Sequence, residues 1–115
     1  MKKVYICSSY SSKGSIPENV ERAKSYSRIA VEKLCIPVTP HIYFTQFMSD
    51  EVPIERAIAL NIGLEFIKGC DEIWVFGEAA GGMIPEIELA KQIDLPIRRF
   101  TIHGIELPEE SCQRA

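Results

Sequence analysis

The chain has 115 residues and a mass of 13.0 kDa; 46% of its residues are hydrophobic, 25% are charged, and the formal net charge is −3. That length is one domain's worth, and that balance of apolar and charged residues excludes an intrinsically disordered chain. The acidic pI of about 5.4 argues against a protein that grips the phosphate backbone of nucleic acid, and no apolar stretch approaches the ~20 residues of a membrane span.

Lys3 to Cys7 is a short apolar run followed by serines, and it reads as a buried strand. The stretch from Ser8 to Gly14 is a loop. Ser15, Pro17 and Glu18 carry a capping-box helix start, and Val20, Ala23, Ile29, Ala30 and Leu34 continue a helical stripe to about Leu34. Ile36-Pro37-Val38 is a second short strand, and Thr39 to Met48 is an aromatic loop with His41, Tyr43, Phe44 and Phe47. Asp50 and Pro53 open a helix that runs to about Lys68 and stops at Gly69. Glu72 to Phe76 is a strand apolar on both faces, Gly77 to Gly82 a turn, Met83 to Ile93 a helix, and Ile97 to Ile102 a last strand. The tail from about Leu107 is expected to fray.

Strands that alternate with helices, without hairpin signals, predict a parallel sheet covered on both faces. Ligands of such sheets bind at the carboxyl ends of the strands. The segments to watch are therefore Ser8–Gly14, Thr39–Asp50 and Gly77–Gly82. Cys7, Cys35, Cys70 and Cys112 form no CxxC pair and no cluster with His. They read as inert thiols of a reducing compartment, with no metal and no cofactor expected. Lys2 and Lys3 precede too short an apolar run for a signal peptide, so the expected location is cytoplasmic.

One side chain breaks the pattern of its helix. At 100° per residue from Met83, Leu89, Ile93, Ala90, Ile87 and Ile84 span an apolar arc from about −120° to 100°. Glu86 falls at about −60°, inside it, while Glu88 falls at about 140°, outside. An unpaired buried carboxylate is costly. Glu86 is either an acid placed by the field of the helix N-terminus or a catalytic group. Gly81 and Gly82 before it permit close approach to a ligand.

The serine-rich first loop could bind an anion at the following helix N-terminus, although it has neither Walker A nor GxGxxG spacing. Its alternative is a plain polar surface loop. His41 in the aromatic loop is either structural or part of the site. Asn61 and Glu65 share a helix face with Ile54, Ile58 and Ile62, either as pocket or interface residues or as a mutual pair. Tyr43, Phe44, Phe47 and Met48 either mediate self-association or cap the protein's own pocket. Asp71 is either a helix-to-strand turn residue or a site residue; it and Glu72 are adjacent and point to opposite faces, so only one can serve a site, and Glu72 is read as solvent-facing.

Three segments, Val4-Tyr5-Ile6-Cys7-Ser8, Cys70 to Gly77, and Gly82 to Lys91, resemble the nucleoside 2-deoxyribosyltransferase-like superfamily, in particular its small bacterial and phage members. The likeness spans about residues 3 to 100. It implies a flavodoxin-like three-layer α/β/α fold with a parallel sheet of four or five strands, and a homo-oligomer. It implies an N-glycosidic enzyme, hydrolase or transferase, acting on a nucleoside, nucleotide or related ribosyl compound. In that pattern Glu86 is the nucleophile, Asp71 the acid that handles the leaving base, and Tyr5 the residue that positions the nucleophile. Ser8, Ser9, Tyr10, His41, Gly77, Gly81, Gly82 and Met83 are the expected substrate-binding residues.

The chain departs from the pattern at two places. Ala80 stands where the superfamily's hydrolases and many relatives have Ser, which removes one phosphate or sugar donor, and no Asn follows Asn61, whereas the transferases borrow such an Asn from a neighbouring subunit. Together the departures make base exchange doubtful. They leave hydrolysis, or a binding, sensing or sequestering protein for a nucleotide derivative. A third alternative is an interaction module that keeps only the fold.

Overall fold

A computed structural model describes residues 1–10 and 14–108. The elements, in order, are β1 (Lys3–Cys7), α1 (Ile16–Glu32), β2 (Ile36–Val38), α2 (Pro40–Phe44), α3 (Pro53–Lys68), β3 (Glu72–Phe76), α4 (Met83–Gln92) and β4 (Ile97–Phe100). The four strands form one all-parallel sheet in the order β2-β1-β3-β4. The chain passes from β1 outward to β2, then crosses back to β3 on the other side of β1. The switch point therefore lies between β1 and β3, where Tyr5 is in register with Ile73 and Cys7 with Val75.

Side-chain alternation divides the core into two. Val4 and Ile6 of β1, with Trp74, Phe76 and Phe100, pack against Tyr26 and Ala30 of α1. Tyr5 and Cys7, with Ile73 and Val75, pack against Ile67 of α3 and Met83, Ile87 and Ala90 of α4. This is the three-layer α/β/α arrangement, with α1 on one face and α3 and α4 on the other. The helix starts follow local chemistry. The Ser15 hydroxyl accepts from Glu18 N–H at 3.3 Å, which is the N-cap bond of a capping box, and it donates to the Glu18 carboxylate at 2.9 Å.

Three boundaries differ from the sequence reading. The helix α1 ends at Glu32 rather than Leu34. Leu34 adopts φ 60° and is 71% exposed, while Cys35 N–H reaches back to Ala30 O at 2.9 Å. This is a Schellman turn closed without glycine. The aromatic loop contains the short helix α2, opened by Pro40. Finally, β4 ends at Phe100, and the chain returns antiparallel along its outer edge, with Thr101 N–H on Ile105 O and Leu107 N–H on Arg99 O. Ile105 to Leu107 is thus tied to the sheet. The rest of the expected tail, and Cys112 with it, lies largely outside the described residues.

Candidate functional site

The expected wheel of α4 was too wide. Ile84 and Ile93 are exposed, and the buried arc narrows to Met83, Ile87 and Ala90, with Glu86 on its border. The half-buried Glu86 turns its carboxylate towards β1. Tyr5 donates its hydroxyl to Oε2 at 2.7 Å, and Cys7 donates its thiol to Oε1 at 3.3 Å. Tyr5 and Cys7 lie two apart on β1, so the pleat puts both on the face that meets α4. Burial pushes the Glu86 carboxyl up to about 7, against the two hydrogen bonds that favour its ionised form. Burial and the neighbouring carboxylate push Tyr5 and Cys7 well above their ordinary values, so both remain protonated donors.

Glu86 lies in the wall of a cleft of about 300 Å³, the lower end of small-ligand pockets. Tyr5, Ser8, Tyr10, His41, Gly81, Gly82 and Met83 line the same cleft. The His41 ring nitrogen Nε2 lies 3.3 Å from the Ser8 hydroxyl, and the Tyr10 ring meets the imidazole edge-on at 5.9 Å. Burial lowers His41 to about 4, so the imidazole is neutral at pH 7. Phe44 and Met48 face the cleft, whereas Tyr43 and Phe47 point outward. Part of the aromatic segment thus caps the protein's own pocket.

Other expected site residues fall elsewhere. Ser9 and Gly77 line a second cavity, beside α1. Ser11, Ser12 and Lys13, part of the expected anion loop, lie outside the described residues. Asn61 and Glu65 are exposed and line neither cavity; Glu65 pairs with Lys68 at 2.7 Å.

Asp71 stands at the amino end of β3, the far end of the sheet from the Gly77–Gly82 turn, and is exposed. Its carboxylate accepts from Lys3 N–H at 2.8 Å, and its own N–H donates to Lys3 O at 2.7 Å. The structure thus places Asp71 as a clasp on β1, outside the lining of the cleft that holds Glu86. Glu72, expected to face solvent, is 7% exposed. It accepts from Lys2 Nζ and Trp74 Nε1, each at 2.8 Å, and lies 3.5 Å from Arg98. Burial raises its carboxyl, but the Lys2 and Trp74 hydrogen bonds and the charges of Lys2 and Arg98 outweigh burial and hold it below the usual range.

The sequence reading missed four contributors. Cys7, expected as an inert thiol, bonds Glu86, and its spacing from Tyr5 on one strand is the signal for it. Gly63 of α3 faces the Tyr5–Glu86 pair so closely that an added Cβ would lie 2.9 Å from the Tyr5 hydroxyl and 3.4 Å from Glu86 Oε2. Asp50 and Arg56, 3.8 Å apart, line the cleft opposite Glu86's helix. Only the tertiary fold brings that pair to the site. Among the described residues no group of His, Cys, Asp and Glu could hold a metal ion, and no helix is long and apolar enough to cross a membrane.

The fold is that of a parallel α/β protein, with a carboxylate in the wall of its cleft. The structure is similar to that of a 2-deoxyribosyltransferase from Bacillus psychrosaccharolyticus, with a TM-score of 0.67 and 15% sequence identity over 86% of this chain and 72% of the other. The chain belongs to the family described as domain of unknown function DUF7768, whose model matches residues 2–100. No curated protein matches the sequence.

Proposed function

We propose that the protein is an N-glycosidic enzyme that uses Glu86 as nucleophile on a nucleoside, nucleotide or related ribosyl compound. The observation that carries this reading is a carboxylate held by two donors, Tyr5 and Cys7, in the wall of a cleft of small-ligand size. A carboxyl near 7 is divided between its two forms at neutral pH, and the ionised form can attack. The ionised Glu86 attacks the anomeric carbon, and a glycosyl ester forms as the bond to the base breaks. The base leaves with that electron pair and takes up a proton. Water then hydrolyses the ester. With Asp71 at the far end of the sheet, the proton for the base comes from a group in the cleft or from water.

Ala80 in the cleft wall offers no hydroxyl to a sugar or phosphate, so the reading leaves that contact to other residues of the cleft. The protein is further read as a homo-oligomer; Ile54, Ile58, Ile62 and Phe66 form an exposed apolar stripe at i, i+4 spacing along α3. The test is incubation of the purified protein with a panel of (deoxy)nucleosides and their monophosphates, followed for free base. Release by wild type and not by Glu86→Ala supports the reading. Equal release by both overturns the role of Glu86. Thermal stabilisation by a ligand recovered intact replaces enzyme with binding protein.

A further inference from the structure

The Glu86 carboxylate has two oxygens, and one donor is not enough to fix it. A single hydrogen bond from Tyr5 to Oε2 leaves the carboxylate free to turn about its last side-chain bond. The second contact removes that freedom. The Cys7 side chain is fully buried, lies on the same strand face as Tyr5, and has its Sγ 3.3 Å from Oε1. We propose that Cys7 is a positioning residue of this site, holding the second oxygen of Glu86 so that the carboxylate keeps one orientation towards the cleft. The proposal rests on the reading of Glu86 as the reacting group.

A thiol is suited to this place for two reasons. It is a weak donor, and a carboxylate acceptor strengthens it. Each carboxylate oxygen has about two acceptor sites, so one donor per oxygen leaves each a site free for chemistry. The thiol also fills a core position between Tyr5, Val75 and the α4 side chains with a small apolar body. Burial and the charge of Glu86 keep the sulfur protonated, so Cys7 acts as a donor and not as a competing nucleophile. The other titratable or charged groups around the pair are Cys70, Arg99 on β4, and, across the cleft, His41, Asp50, Glu55 and Arg56.

The experiment compares Cys7→Ala and Cys7→Ser with wild type by two readouts. The first is the titration of the Glu86 carboxyl carbon, followed by carbon NMR on glutamate-labelled protein and assigned with Glu86→Gln. Loss of a donor to the ionised form is expected to move the Glu86 midpoint upward by about half a pH unit or more in Cys7→Ala, and Cys7→Ser is expected to restore it. The second is base release from whichever panel member wild type cleaves. There Cys7→Ala is expected to lower kcat about fivefold with KM little changed, with the acid limb moving in step with the NMR midpoint. An unchanged Glu86 titration in a folded Cys7→Ala variant overturns the proposal. If the titration moves as expected but wild type cleaves nothing, the positioning contact stands and the enzymatic reading fails.

Discussion

Tyr5 and Glu86 lie 81 positions apart in the chain, and a hydrogen bond of 2.7 Å joins them at the switch point of the sheet. The bond ties the first strand to the first turn of the last helix. A carboxyl raised by burial to about 7 there destabilises the fold when it ionises. The folded value lies above the unfolded one of about 4.5, so this group's contribution is full below pH 4.5 and is lost as pH rises through 7. Glu86→Gln is therefore expected to gain on wild type in unfolding free energy from pH 5 to pH 8, by roughly 1–3 kcal/mol at the upper end. Denaturant titrations across that range check it, and a flat difference contradicts it.

His41 has the opposite sign. Its folded value of about 4 lies below the unfolded 6.5, so its contribution is present above 6.5 and is lost as pH falls through 4. Comparing His41→Gln with wild type between pH 4 and 7 should show wild type losing ground on the acid side, by roughly 1–3 kcal/mol. A constant difference over that range would mean that the imidazole is not desolvated.

Gly63 tests the tightness of the site from the other wall. Alanine is a better helix former by about 1 kcal/mol, but its Cβ would meet the Tyr5 hydroxyl at 2.9 Å. Tyr5 is 2% exposed and already committed to Glu86, so it has little room to retreat. Gly63→Ala is expected to cost about 1–3 kcal/mol despite the propensity gain, and to abolish base release. A stabilised, fully active variant would show that the tyrosine yields freely.

Asp71 carries a prediction that reverses its assignment from the sequence. Asp71→Ala removes the acceptor for Lys3 N–H, and is expected to cost about 1 kcal/mol of stability while leaving turnover per folded molecule intact. A tenfold or greater loss of kcat without a change in melting would return the residue to the site.

The exposed stripe of α3 predicts self-association. Light scattering at micromolar concentration should give at least twice the 13.0 kDa chain mass, and Ile58→Lys should reduce it. A 13.0 kDa particle for wild type contradicts the assembly.

The strands and long helices were legible because their signals are local. An apolar run such as Ile73 to Phe76, a capping box at Ser15 and a proline at position 53 each act within a few residues. Glu86 was legible because a carboxylate within an apolar arc breaks a periodic pattern. What failed depended on contacts across the sheet. Glu72 looked solvent-facing because its partners, Lys2 and Arg98, come from the amino-terminal segment and β4. Cys7 looked inert because its acceptor lies 79 positions away. Asp71 matched a motif, but its place at the start of β3 put it at the wrong end of the sheet.

The return of the chain along β4 has a consequence for how copies of this protein can meet. An open strand edge invites pairing with another sheet. Here the outer edge of β4 is occupied by the chain's own Ile105–Leu107, and the opposite edge, β2, is three residues long with Pro37 at its centre. Neither margin offers a long ladder of unpaired amides, so continuation of the sheet from molecule to molecule is blocked at both sides. Association is left to the helical faces, and a chain cut before Ile105 would bare the β4 margin and favour edge-to-edge aggregation.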